Sequence, residues 1–226
     1  MKRKWKLWMI AFVVFVMTDI MMQSNRAEAK KRTFTVSSKT IPCSSSYRQK
    51  PYYNKKTKQY YMINSYMRRL STTGGTLKLK KGTYKIPGTI YVPSNVKIVC
   101  ANGVKIKKTK ATGTKKVKST KFLFQMISEE KASGKQNTGK YAASKNASIQ
   151  GNGKVIFDMG NVNGATAVFV GHASGITVSG VRFRNKKGGS YIWIEGSKNI
   201  SVRQCVFERK KDVSGLKNRM AVRLET

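Results

Sequence analysis

Apolar and polar residues alternate along most of this chain, and in one stretch the alternation repeats itself. From Val168 to Phe207 the sequence matches its own pattern at a shift of 24 residues. Val168, Val170, Ile176, Val178, Val181 and Phe183 fall on Ile192, Ile194, Ile200, Val202, Cys205 and Phe207. The same frame extends backward, with insertions, through NVKIVCANGVKI (95–106) and NASIQGNGKVIF (146–157). In each unit a small polar residue or Gly precedes two apolar positions of period 2, a turn comes next, and a second apolar pair or near pair closes it. A further short apolar segment, such as TIYV from Thr89, AVFV from Ala167, YIWI from Tyr191 and AVRL from Ala221, accompanies each unit. Period 2 predicts strands with one buried face. Two or three short strands per repeat, with no helix between them, predict a coil that winds once per repeat and buries its face only by stacking on its neighbours. The fold class predicted is all-β, a right-handed parallel β-helix. A β-sandwich is the alternative, and Asn102-Gly103 and Asn152-Gly153 are the hairpin-type turns that would serve it.

Upstream the period changes. Tyr60, Ile63, Met67 and Leu70 form a helical stripe, with Thr57 placed to cap the start and Gly74 to stop the end. An amphipathic helix immediately before the first coil predicts a cap over the open end of the solenoid, where core and strand edge would otherwise be exposed. GGTLKLKKGTYKI (74–86) then supplies the first strands, 107–120 and 128–145 read as loops, and KFLFQMI between them reads as a strand of a degenerate coil. The resulting division is 30–73 for the N-terminal segment and capping helix and 74–226 for the β-helix. The chain stops at AVRLET, just after a strand of a third aligned coil, which predicts a β-helix truncated at its C-terminus or, as the alternative, an end covered by another chain.

The first 29 residues fit neither pattern. A basic start, an apolar run and an Ala27-Glu28-Ala29 site predict a secretory signal cleaved after Ala29. Asp19 interrupts the run short of the ~20 apolar residues of a membrane span, and no later segment resembles one. The protein is therefore expected to be secreted or associated with the cell envelope.

Charge then narrows the partners. The 226-residue chain carries a formal +37; without residues 1–29 it keeps 41 basic against 7 acidic groups, a formal +34. Such a field favours anionic partners and salt-sensitive encounters with them. For an exported protein it points to an acidic polysaccharide or a cell-wall polymer, and not to nucleic acid. Three cysteines (Cys43, Cys100, Cys205) are too few for a disulfide scaffold. With one histidine and no CxxC spacing, neither a metal site nor a cofactor is expected.

Several segments resemble secreted bacterial proteins of the pectate-lyase-like, right-handed β-helix superfamily. GGTLKLKKGTYKIPGTIYVPSNVKI is similar to the first coil of that group, and GHASGITVSGVRFRN, YIWIEGSKNISVRQCVF and MAVRLET are similar to successive coils of one subgroup. The resemblance covers about Gly74 to Thr226 and implies a polysaccharide-active enzyme, a glycoside hydrolase or polysaccharide lyase. The alternative is a non-catalytic envelope or glycan-binding protein, since the fold does not fix the activity. Position by position, His172 matches the subgroup's first histidine and Glu195 its glutamate, whereas Ser190, Met220 and Glu225 depart from its pattern. Clustered aspartates of the polygalacturonase kind are absent, because only Asp158 and Asp212 lie beyond residue 29.

The residues between the inward pairs of the last coils are the candidate binding face. Phe169, Trp193 and Arg223 are expected to stand as an outward ladder, two flat rings suited to sugar faces and one guanidinium. One step further, Glu195 and Glu225 fall on equivalent positions of adjacent coils, with His172 beside them. Stacked strands would hold the two carboxyls roughly 5 Å apart, the spacing used by retaining glycosidases. A lyase would instead need a base and a cation, for which Arg223, His172, Lys186 and Lys187 are the nearby groups.

Overall fold

A computed structural model describes residues 31–115, 117–134, 138–208 and 220–225. The expected signal segment 1–29 and the loop 209–218 lie outside the described residues. Strand β1 (Arg32–Val36) comes first, then the one-turn helix α1 (Ser45–Arg48) and the helix α2 (Lys58–Leu70). Five coils come after them. The first holds β2 (Gly75–Leu79), β3 (Gly82–Ile86) and β4 (Ile90–Tyr91); the second β5 (Val96–Cys100), β6 (Val104–Lys108) and β7 (Phe122–Gln125). A short helix α3 (Glu129–Ala132) precedes the third, which holds β8 (Ser148–Gly151), β9 (Ile156–Asp158) and β10 (Thr166–Gly171). The fourth holds β11 (Ser174–Ser179), β12 (Arg182–Arg184) and β13 (Ile192–Glu195), and the fifth β14 (Lys198–Arg203), β15 (Val206–Phe207) and β16 (Val222–Glu225).

Each coil gives one strand to each of three sheets, in the orders β1-β2-β5-β8-β11-β14, β3-β6-β9-β12-β15 and β4-β7-β10-β13-β16. Every strand pairing is parallel. The chain is thus a right-handed parallel β-helix, and the β-sandwich alternative falls. The 24-residue self-match is the physical register: Val168 pairs with Ile192, Ile176 with Ile200 and Phe183 with Phe207. The two Asn-Gly pairs turn the chain from the first sheet into the second instead of closing hairpins, with Gly103 and Gly153 at φ 81° and 78°.

Inside, like residues stack on like. Leu77, Ile98, Ile149, Val178 and Val202 form one inward ladder on the first sheet. Phe157, Phe183 and Phe207 form another on the second, with ring centroids 5.5 and 5.2 Å apart. The residue that opens each first-sheet strand explains the recurrent Asn or Gly. Gly74, Asn95, Asn146, Gly175 and Asn199 all have φ between 52° and 67°, a left-handed conformation that Gly adopts freely and Asn better than other side chains.

The N-terminal end is closed edge by edge. β1 pairs with β2 and covers the first sheet, a strand the sequence pattern did not predict. Helix α2 lies across β2, β3 and β4, burying Met62, Ile63, Met67 and Leu70. Two of its amides stand in for missing strands. Gln59 Nε2 donates to Thr83 O (3.2 Å) while its Oε1 accepts from Lys85 N (2.6 Å), and Asn64 Nδ2 donates to Thr89 O (3.0 Å) while its Oδ1 accepts from Tyr91 N (3.1 Å). Buried backbone groups need such partners, and each amide satisfies one donor and one acceptor. Thr57 precedes the helix as expected, but its hydroxyl donates to Tyr52 O (2.6 Å) instead of capping.

The segment 107–120, expected to be a loop throughout, begins as strand: Lys107 and Lys108 continue β6, and the Lys108 side chain points inward, fully buried. Its ammonium donates to Pro87 O (3.0 Å), Gly88 O (2.9 Å), Thr120 Oγ1 (3.1 Å) and Phe122 O (2.9 Å). Burial pushes its pKa down to about 7. This buried peg ties the segment 120–122, where β7 begins, to the first coil.

Candidate functional site

The outer face of the third sheet gathers large side chains from three coils. β10, β13 and β16 run in register, so that Phe169 pairs with Trp193 and Trp193 with Arg223, while Gly171 pairs with Glu195 and Glu195 with Glu225. Val168, Val170 and Ile192 alternate with these residues and are buried, so Phe169 and Trp193 point outward and sit half-buried. Phe122 of β7 joins them from the second coil. Its ring stacks on Phe169 (centroids 4.5 Å, planes 8° apart), and the Trp193 indole meets both at steep angles, 6.0 Å from Phe122 and 5.1 Å from Phe169. The expected ladder is therefore a consolidated three-ring cluster, and Phe122 is its missed member.

Two cations bracket the indole. Lys121 Nζ lies 4.4 Å and the Arg223 guanidinium 4.6 Å from the ring centroid, within reach of cation–π attraction. Glu225 ties the group together: its Oε2 accepts from Trp193 Nε1 (2.9 Å) and its Oε1 pairs with Arg223 Nη2. Phe169 lies over Gly171, and a Cβ at that glycine would come within 2.7 Å of the ring. Gly171 is small because the aromatic ring occupies the space that Glu195 fills one coil later.

Glu195 and His172 stand at the corner between the third and first sheets. The His172 backbone N–H donates to Glu195 O (3.0 Å), and His172 itself is exposed with φ 50°. Its ring rests over Gly196 of the next coil. Register places the Glu195 and Glu225 backbones on neighbouring strands, ~4.8 Å apart. The two carboxylates differ sharply in partners. Glu129 is held by Tyr47 (2.7 Å), Glu130 by Arg68 (3.8 Å), Glu208 by Arg182 (2.9 Å) and Glu225 by Arg223 and Trp193. Asp158 binds Lys105 (3.1 Å), Arg184 (3.3 Å) and Asn185 (2.9 Å). Burial pushes the Asp158 carboxyl up, but the hydrogen bonds from Asn185, Gly160 and Lys105 outweigh it and hold it below the ordinary value. Glu195 is the acid among the described residues whose carboxylate has no such partner.

The other residues named from the sequence lie apart from this cluster or beneath it. Ser190 is buried, Met220 is exposed, and Lys186 Nζ donates to Gly189 O (3.3 Å) on the second-to-third sheet turn, 5.8 Å from the Tyr191 ring. Cys100 is fully buried, and burial raises its thiol pKa to about 12. No group of three or more His, Cys, Asp or Glu side chains converges among the described residues.

No protein-family model matches the chain, and no curated protein does. Among solved structures, PfbA, a surface adhesin of Streptococcus pneumoniae, superposes with a TM-score of 0.51 at 15% identity over 81% of this chain. The chain spans 40% of that adhesin's length. An iota-carrageenase complexed to iota-carrageenan fragments matches at TM-score 0.41 and 20% identity over 65% of this chain and 36% of its own. A putative glycosyl hydrolase from Parabacteroides merdae matches at 0.40 and 13% over 84% and 96%. At these identities the adhesin's likeness shows the fold alone, a parallel β-helix.

Proposed function

We propose that this is an exported protein of pectate-lyase-like type that holds an acidic polysaccharide on the outer face of its third sheet. The observation that carries the reading is the convergence of Phe122, Phe169 and Trp193 with Lys121 and Arg223. Aromatic edges offer apolar surface to sugar rings, and the two cations offer charge to carboxylates or sulfates. Successive coils rise ~4.8 Å, so a polymer lying along the solenoid meets a new contact at each coil. The formal +34 that remains without residues 1–29 supports the same class of partner, with affinity falling as salt screens it.

Glu195 favours a second reading, in which the same face also cleaves the polymer. An unpartnered carboxylate beside the platform is available as acid or base. Glu225 is the neighbouring carboxylate, but both of its oxygens are engaged by Trp193 and Arg223, so a two-carboxylate mechanism must release one of them.

The test presents uronate-bearing, sulfated and neutral polysaccharides at low and high salt, monitoring both retention and the appearance of reducing ends or unsaturated products. Salt-sensitive retention of the acidic polymers without products supports the binding reading. Products that vanish in Glu195→Gln support the catalytic one. Equal retention of neutral polymers at all salt concentrations contradicts both.

A further inference from the structure

Far from the third-sheet platform, at the capped end, a cleft of about 800 Å³ opens where β1, α1 and the C-terminal turn of α2 meet. Its lining includes Arg32 from β1, Lys50 after α1, Arg68 and Arg69 from α2, and the hydroxyls of Ser44 and Ser46. No carboxylate lines it. Glu130 touches Arg68 loosely at 3.8 Å, and Glu129 is held by the Tyr47 hydroxyl at 2.7 Å. Lys50 Nζ lies 5.3 Å from the Tyr47 ring centroid. Arg32 and Arg69 make no ion pair among the described residues. Basic residues at a helix C-terminus are ordinary complements of its dipole, and that accounts for Arg68 and Arg69. It does not account for Arg32, which comes from β1 into the same cleft, where Lys50 also arrives, over the Tyr47 and Tyr61 rings.

We propose that this cleft binds a tetrahedral oxyanion, phosphate or sulfate, carried on a sugar or polyol. A guanidinium fork takes a carboxylate or a phosphate bidentately. A carboxylate's two oxygens suit one fork, whereas the three terminal oxygens of a phosphate or sulfate ester can be shared among several cations at once, and an uncharged hydroxyl offers no ion pair. The Ser44 and Ser46 hydroxyls, 2.8 Å from each other, supply short polar contacts beside the arginines. The volume suits a ligand of one to two sugar rings. The site is independent of the third-sheet platform and stands or falls separately from it.

The test is calorimetric titration of the full chain at moderate salt with glucose 6-phosphate, glucose 6-sulfate, glucuronate and glucose. Saturable binding of the phosphate or the sulfate ester is expected, whichever binds more tightly naming the natural oxyanion. Arg32→Gln combined with Arg69→Gln is expected to lower that affinity at least tenfold, with the thermal midpoint unchanged. Lys78→Gln combined with Lys97→Gln removes the same charge from the outer face of the first sheet and is expected to leave it within twofold. The proposal is overturned by absence of binding, by glucuronate or glucose binding as tightly as the esters, or by equal losses in the two double variants.

Discussion

The Glu225 carboxylate accepts a hydrogen bond from the Trp193 indole at 2.9 Å across adjacent coils, while its other oxygen holds Arg223. One acid therefore fixes both the ring and the guanidinium of the proposed platform. It also competes with any polyanion for Arg223. Glu225→Gln keeps an acceptor for the indole and releases the guanidinium, so affinity for an acidic polysaccharide is expected to rise by a few fold, most visibly at low salt. Loss of binding in this variant, measured by retention on the immobilised polymer, would show that the carboxylate itself contacts the sugar.

The edge amides of the capping helix are expected to matter more than their polarity suggests. Asn64→Leu keeps the size of a buried side chain, 3% exposed, but strands Thr89 O and Tyr91 N without partners. Each buried unsatisfied group costs about 1–3 kcal/mol, so with two of them denaturant unfolding should show a loss of about 2–6 kcal/mol. Gln59→Leu, at a half-buried position where water can replace the amide, should cost clearly less. Equal losses at the two positions would remove the edge-closing role assigned to Asn64.

The stacked left-handed corner gives a sharper contrast within one position. Asn146 has φ 52°, so Asn146→Gly should be close to neutral, whereas Asn146→Val should cost about 1–2 kcal/mol or more from backbone strain. Gly175→Ala should also destabilise, because the new Cβ would stand 2.6 Å from Asn146 Oδ1. Thermal midpoints of the three variants check this; a tolerated valine would contradict it.

Lys108 sets a pH dependence with a defined sign. In the folded chain burial lowers its pKa to about 7, against an ordinary 10.5. Between these values the unfolded chain holds the proton that the folded chain has released. Stability therefore rises as pH increases from about 7 to about 10, by at most ~1.4 kcal/mol per pH unit from this group. Lys108→Met should lack that rise when urea midpoints are compared across the window. Parallel pH profiles for the two proteins would mean that the ammonium stays charged on its four oxygens throughout.

Much of the architecture was legible because a solenoid writes its register into the sequence. The spacing from Val168 to Ile192 and from Phe183 to Phe207 is a coil length, and the recurrent Asn or Gly marks a corner that only certain residues fit. What escaped was of three kinds. Phe122 was hidden because strand register sets it opposite Thr166 and sets Gln125 opposite Phe169, so its ring reaches Phe169 across the register and not through it. Lys108, Gln59 and Asn64 were hidden because residue type argues for solvent at each of them, while buried carbonyls and strand edges supply the compensating partners. The pairing of Glu225 with Arg223 and Trp193 depends on side-chain directions that periodicity does not encode; it places Glu195 and Glu225 on neighbouring strands but gives them different roles.

Trp193 offers the most direct measurement of the central claim. The chain has three tryptophans, at positions 5, 8 and 193, so a protein beginning at Lys30 reports from Trp193 alone. Titration with an acidic oligosaccharide, read by tryptophan emission, is expected to give a saturable shift that weakens with salt and is lost in Arg223→Gln combined with Phe169→Ala. Binding detected by calorimetry with no change in Trp193 emission would contradict the account, because the polymer would then lie elsewhere on the molecule.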